Sequence, residues 1–156
     1  MKRKLLFILV SALVLYLDCF SQSAICSYGY RKRITFDPTK VSGSSDLTDF
    51  PVLINITSDN DLRTTANSGH VRSSSGYDIV FTSDDGVTLL NHELTAYTAT
   101  SGALQCWVKI PNLSTSINTH IYMYYGNSSA TVNPSSSATW SNGYVGVWHL
   151  DNSFNN

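Results

Sequence analysis

Apolar and polar residues alternate strictly in two neighbouring runs within residues 103–127. In the first run, one face carries Leu104, Cys106, Val108 and Ile110, and the other carries Gln105, Trp107 and Lys109. In the second run, Ile121, Met123 and Tyr125 alternate with His120, Tyr122 and Tyr124. A period of two in runs rich in β-branched and aromatic residues predicts half-buried β-strands.

Four earlier runs have the same period, at residues 30–37, 50–56, 77–82 and 88–97. Their predicted inward residues are Ile34, Phe36, Val52, Ile54, Ile56, Ile79, Phe81, Leu90, His92 and Leu94. Pro51 lacks a backbone N–H, so we expect it at the start of its strand or on a sheet edge. Residues 58–76 have no clear period, and we interpret them as irregular, with one helical turn near residues 61–66. Short strands without a strong helix predict an all-β, antiparallel β-sandwich of jelly-roll-like form.

The first 21 residues have the order of a secretory signal peptide. A basic cap at residues 1–4 precedes an apolar run at residues 5–17, and the small residues Cys19, Ser21 and Ser23 follow. The apolar run is shorter than the roughly 20 residues that span a membrane. We expect cleavage after Ser21, a processed chain without a membrane span, and a secreted or cell-surface location. The rival interpretation is a lipoprotein anchored at Cys19, to which the preceding Asp18 is poorly suited.

The remainder divides into three parts. Residues 22–127 hold the predicted sandwich, and residues 128–142 are low in apolar content and rich in Ser and Asn, as is typical of a linker. Residues 144–151 then restore an apolar run, which predicts a strand. We interpret residues 143–156 as the truncated start of a second β-domain.

Charge narrows the range of partners. The chain of 156 residues has ten basic and eleven acidic residues and a formal net charge of −1. Removing residues 1–21 takes away three basic residues and one acidic residue, which leaves a net charge near −3. The sequence has no basic stripe, and this argues against nucleic-acid binding.

Five blocks in the same order resemble the bacterial family called domain of unknown function 2341. They are YRKRITF from Tyr30, TDFPVLI from Thr48, DIVFTSDDGVTLL from Asp78, CWVKIP from Cys106 and IYMYYGN from Ile121. The resemblance covers residues 30–127. It implies a module of a large secreted or surface protein, followed by a concanavalin A-like or laminin G-like lectin domain, whose first strand the YVGVWHL run at Tyr144 is similar to. The family carries no agreed catalytic residues.

Three aromatic residues are predicted to point outward from their strands: Trp107, Tyr122 and Tyr124. If the two strands pair, the rings form one surface on which sugar rings stack, and Gln105, Lys109 and His120 supply polar groups at its rim. The alternative, which we favour, is that a neighbouring segment covers the rings, because large aromatic side chains are usually mostly buried.

Two cysteines, Cys26 and Cys106, remain after cleavage. In an oxidising compartment they form a disulfide, or Cys106 is a small buried apolar residue and both stay free. The acidic pairs Asp59/Asp61 and Asp84/Asp85 favour ordinary turns over calcium loops.

No catalytic motif emerges, because His92-Glu93 lacks the second histidine of H-E-x-x-H. We therefore expect no metal, no cofactor and no enzymatic activity. The predicted function is a non-catalytic β-sandwich module for glycan binding, adhesion or spacing next to a lectin-like domain, with polysaccharide or glycoconjugate as partner. The alternative is an accessory piece of a polysaccharide-degrading enzyme whose catalytic part lies elsewhere.

The signal peptide leads to a prediction about export. Cleavage after Ser21 gives a processed chain that begins at Gln22. Intact-mass spectrometry of the exported protein checks this, and a lipid retained on Cys19 would support the lipoprotein interpretation instead.

Overall fold

The computed structural model describes residues 25–149. The predicted signal peptide and residues 150–156 lie outside this part. Six strands follow one another in the described chain: β1 Tyr30–Phe36, β2 Leu47–Ile56, β3 Val80–Ser83, β4 His92–Thr98, β5 Ala103–Leu113 and β6 Thr119–Tyr125. Short 3-10 helices occur at Pro38–Lys40, Thr65–Asn67 and Ser137–Trp140.

The strands form two three-stranded sheets. The first sheet has the order β1-β6-β3 and the second has the order β2-β5-β4. Every pairing between these strands is antiparallel. Pro51 lies on β2, at an edge of the second sheet, where its missing N–H costs no ladder hydrogen bond. The predicted antiparallel β-sandwich is confirmed.

The core lies between the two sheets. It combines Phe81, Ile121 and Met123 of the first sheet with residues of the second, among them Ile54, Leu104, Cys106, Val108 and Ile110. Alternation places these side chains inward because successive strand residues point to opposite faces. The predicted inward faces of β5 and β6 are confirmed, since none of their apolar members from Leu104 to Tyr125 is more than 5% exposed.

The irregular region between β2 and β3 adds two core residues that lack any sequence period. Leu62 and Val71 are completely buried. The Asp59 N–H donates to the Ser101 carbonyl over 3.0 Å, which holds this region to the turn between β4 and β5. In that turn Gly102 has a φ of 68°, and a Cβ atom there would lie 2.0 Å from the Asp59 carbonyl oxygen. Only glycine fits such an approach.

Several predicted strands differ in their bounds: the second begins at Leu47 rather than Phe50, and the fourth begins at His92 rather than Thr88. The third begins at Val80 rather than Tyr77, because residues 76–79 form a turn closed by the Ile79 N–H on the Gly76 carbonyl. The strand predicted at residues 144–151 is absent from residues 144–149. Its backbone pairs with no strand there, and Trp148 is 78% exposed. Whether residues 143–156 begin a second domain stays a prediction.

The connection between β5 and β6 crosses from the second sheet to the first. Asp46 fixes this crossing: one carboxylate oxygen accepts from the Thr115 N–H at 2.8 Å and from the Ser114 hydroxyl at 3.1 Å. The Thr115 N–H holds the pKa of the Asp46 carboxyl below its ordinary value. Because β5 and β6 are close along the chain, they would be expected to form a hairpin, but they lie in different sheets.

Two isoleucines test the core. Replacing Ile121, which is 1% exposed, by alanine leaves a cavity between the sheets and should lower the free energy of unfolding by about 2–5 kcal/mol. The matched control is Ile117→Ala in the crossing loop, where the side chain is 69% exposed and the change should stay within about 0.5 kcal/mol. Urea denaturation measures both, and equal losses would contradict the assigned core.

Candidate functional site

The five residues predicted to bind a ligand lie on opposite sides of the sandwich. Gln105, Trp107 and Lys109 lie on the outer face of β5 in the second sheet, whereas Tyr122 and Tyr124 lie on the outer face of β6 in the first. The single aromatic surface is therefore wrong. It required β5 and β6 to pair, and the chain crosses between sheets at that point.

A segment that we name the strap, residues 135–142, crosses the outer face of the second sheet. It begins at β4, where the Ser136 N–H donates to the His92 carbonyl at 2.9 Å and the Ser135 hydroxyl accepts from the Leu94 N–H at 2.9 Å. These bonds occupy backbone groups at the edge of β4, which would otherwise be open to pairing with another chain.

The strap continues over β5 and reaches β2. The Lys109 ammonium on β5 donates to the Ser141 hydroxyl at 3.0 Å, and the Asn142 side-chain amide donates to the Thr48 carbonyl at 2.8 Å. Within the strap Thr139 is completely buried. Residues 135–142, part of the predicted linker, are thus bound to all three strands of the sheet. The division of the chain into domains stays a prediction.

The strap places an indole next to Trp107. The ring centroids of Trp107 and Trp140 are 5.2 Å apart with an interplanar angle of 59°. His149 also stacks on Trp107, with centroids 6.4 Å apart. Glu93 on β4 holds both neighbours, since its Oε2 atom accepts from Trp140 Nε1 and lies 3.1 Å from His149 Nε2.

Beside these rings lies a groove of about 630 Å³ that we name the Trp107 groove. Its lining consists of Leu53, Glu93, Leu94, Thr95, Ala96, Gln105, Trp107 and His149. Lys109 is not among these residues, because the strap and the Asp49 carboxylate at 3.8 Å hold its ammonium elsewhere. The groove combines a partly exposed indole with an amide, a carboxylate and an imidazole. Such a set offers apolar contact and hydrogen bonds within one concave surface.

On the first sheet Tyr124 is mostly covered. It is 7% exposed and packs with Ile25 and Val80, and its hydroxyl donates to the Gly86 carbonyl at 3.0 Å. Coverage by a neighbouring segment, the alternative that we favour for the three rings, thus applies to Tyr124, which packs against the N-terminal residue Ile25. Tyr122 remains half-buried, with the Arg31 guanidinium carbon 4.7 Å above its ring centre.

A sequence model of one protein family, described as a domain of unknown function (DUF2341), matches residues 75–152, half of the chain. The chain belongs to the DUF2341 family. The match begins later than the resemblance at residues 30–127 and extends further, so it includes the strap and residues 143–149. No curated protein matches the chain, and no solved structure does.

In this DUF2341 chain, the sequence does not single out Glu93 and His149, which line the groove, or Trp140, which packs beside it on Trp107. Trp140 lies in the predicted linker, His149 lies in the predicted second domain, and Glu93 belongs to an incomplete metal motif. One signal was available for Trp140: a tryptophan in a run rich in Ser and Asn usually finds a packing surface.

The acidic pairs have structural partners. The Lys32 ammonium donates to the Asp59 carboxylate and lies 3.0 Å from the Asp61 carboxylate. The lysine therefore occupies the position between the two carboxylates that a metal ion would need. Asp85 accepts from the Thr88 hydroxyl and from the Val87 and Thr88 N–H groups, and the Thr88 hydroxyl is the main cause that lowers the pKa of its carboxyl. Asp59, Asp61 and Asp85 thus serve local structure.

Across the part of the chain from Ile25 to His149, no helix has the length and apolar character to cross a membrane.

The two cysteines are free in the structure. Cys106 is 1% exposed in the core, whereas Cys26 is exposed and lines a recess with Arg31 and Tyr124 on the outer face of the first sheet. The first sheet therefore separates the two thiols, and a disulfide would require the chain to rearrange. Burial raises the pKa of the Cys106 thiol, which keeps it protonated and unreactive.

This arrangement predicts stepwise thiol reactivity. In a chain that begins at Gln22, titration with a thiol reagent should find one reactive group in the folded protein, Cys26, and two after denaturation without reductant. A Cys26→Ser variant should show none before denaturation and one after it. No free thiol in the denatured, unreduced protein would favour the disulfide.

Proposed function

We propose that this DUF2341 domain is a non-catalytic, secreted or cell-surface module that binds carbohydrate in the Trp107 groove. The observation that carries the proposal is the groove itself: an indole on an outer sheet face, bordered by an amide and a carboxylate. Its volume of about 630 Å³ falls within the range of small-molecule sites.

The chemistry of the lining suits a sugar ring. The axial C–H groups of a pyranose make apolar contact with the face of Trp107, while its hydroxyls need groups that donate and accept. The Gln105 amide does both, and the Glu93 carboxylate accepts. Trp140 and His149 keep Trp107 from swinging outward, so the ring is ordered before a ligand arrives, which lowers the entropic cost of binding.

The compartment and the neighbours belong to the same proposal. The basic cap and apolar run of residues 1–17 support export, and the YVGVWHL run supports a lectin-like domain beyond the strap. An accessory role in a polysaccharide-degrading enzyme would use the same groove, to hold the polymer near a catalytic unit.

A second candidate function is a spacer that fixes the position of a following domain. The strap favours it, because hydrogen bonds to β4, β5 and β2 hold residues 135–142 along their length. A domain that follows a bound strap has less orientational freedom than one on a free linker.

Gln105→Ala tests carbohydrate binding with little risk to the fold. Gln105 is exposed on the groove, so its loss should change the free energy of unfolding by no more than about 0.5 kcal/mol. Retention on an array of bacterial, plant and algal polysaccharides should fall. Asn118→Ala, which removes an exposed amide from the crossing loop, is the matched control and should bind like the unaltered chain.

Trp107→Ala tests whether the indole binds sugar as well as packing against its neighbours. We expect it to abolish retention on neutral polysaccharides and also to cost about 1–2 kcal/mol of stability, because it removes the partner of Trp140 and His149. A chain that binds no polysaccharide on the array would contradict the carbohydrate proposal and leave the spacer.

A further inference from the structure

The outer face of the first sheet carries two arginines, Arg31 and Arg33. Together with their neighbours Thr35, His120 and Tyr122 they form a surface that we name the arginine face. In the β1–β6 ladder, Arg33 lies opposite Tyr122 and Thr35 lies opposite His120. Arg31 and Arg33 are two residues apart on one strand, so both extend to the same side, with Cα atoms about 6.6 Å apart.

Arg31 has a defined position. Its guanidinium carbon is 4.7 Å above the centre of the Tyr122 ring, and its Nη1 atom donates to the Tyr124 hydroxyl at 3.4 Å. Arg31 is exposed, and a guanidinium carries five donors in a planar fork, so this one hydrogen bond leaves most of its donors for a ligand. Tyr122 thereby holds a cation in place without neutralising it.

No carboxylate forms an ion pair with these arginines within residues 25–149. The ion pairs of that part involve Lys32, His70, Lys109 and His149. Asp85 lines a recess of about 190 Å³ together with Arg31 and keeps its negative charge, but it forms no ion pair with Arg31, and its oxygens accept from Ser83, Val87 and Thr88. The arginine face is thus a local positive surface on a chain whose formal net charge is −1.

Protection of the β1 edge accounts for only part of this arrangement. Charged side chains on an edge strand discourage pairing with other chains. That role asks only for charge, which mobile lysines supply equally well. It does not require a guanidinium ordered on a tyrosine ring beside a second arginine.

We propose that the arginine face binds an acidic polysaccharide through the carboxylates of successive sugar units. Arginine recognises carboxylate by two parallel N–H···O bonds, and two arginines in a row match a linear polymer with regularly spaced charges. A nucleic acid or an anionic membrane would call for a larger basic cluster than two arginines. The site lies on the opposite side of the sandwich from the Trp107 groove and does not depend on it.

Electrophoresis of the full chain through gels that contain polygalacturonate tests the proposal. The unaltered chain should be retarded at low ionic strength, and the retardation should shrink as salt is added. Arg31→Gln with Arg33→Gln should lower the affinity by about fivefold for each arginine lost. The control, Lys40→Gln with Arg72→Gln, removes the same charge from exposed positions elsewhere and should leave the retardation unchanged.

A second pair of variants separates geometry from charge. Arg31→Lys with Arg33→Lys keeps both cations but loses the planar forks, and we expect an intermediate retardation. Three results would overturn the proposal: no retardation of the unaltered chain, an equal loss in the control, or sedimentation with phosphatidylglycerol vesicles without any binding to polygalacturonate. Loss of Trp107 should not alter retardation in this assay, so the proposals for the two sites are tested independently.

Discussion

Three backbone N–H groups converge on the carboxylate of Asp78, which is completely buried. Those of Arg72, Ser73 and Gly126 donate at 2.7, 2.9 and 3.0 Å. A buried charge without partners would cost several kcal/mol, whereas charge-assisted bonds to backbone amides offset that cost. The bonds join the irregular region before β3 to the residue that follows β6. The first sheet and the loop that covers the core therefore depend on one side chain.

This anchor also explains a limit of the alternation argument. The YDIVF block alternates correctly for a strand, yet its first part is a turn, because Asp78 directs its carboxylate to backbone amides rather than to solvent. A period of two identifies which side chains share a face, and the inward residues of β5 and β6 followed from it. It gives no information on which strand lies next to which. The sheet assignment, and with it the separation of Trp107 from Tyr122, came from the crossing that Asp46 fixes.

Composition was a weaker guide than alternation. Residues 128–142 are polar and rich in Ser, as linkers are, but short hydroxyl and amide side chains also bond readily to exposed backbone and neighbouring side chains. Ser135, Ser141 and Asn142 do so across the second sheet. The burial of Leu62 and Val71 was equally hard to predict, because it depends on contacts with residues distant in sequence. Such contacts leave no local period, so they cannot be inferred from a single sequence.

The two outer faces differ in chemistry because different segments lie next to them. On the second sheet the strap and His149 add aromatic rings around Glu93, whose carboxylate is the negative charge that lines the Trp107 groove. On the first sheet the N-terminal segment covers Tyr124 but leaves Arg31 and Arg33 at the surface, so the charge there is positive. Sheets in a sandwich lie about 10 Å apart, and the core between them excludes water and ligands. One ligand molecule therefore cannot contact both faces at once on a direct path through the domain. The arginines of the first sheet and Glu93 of the second therefore lie on opposite surfaces of the sandwich, so the negative formal charge of the chain is not spread evenly over its two faces.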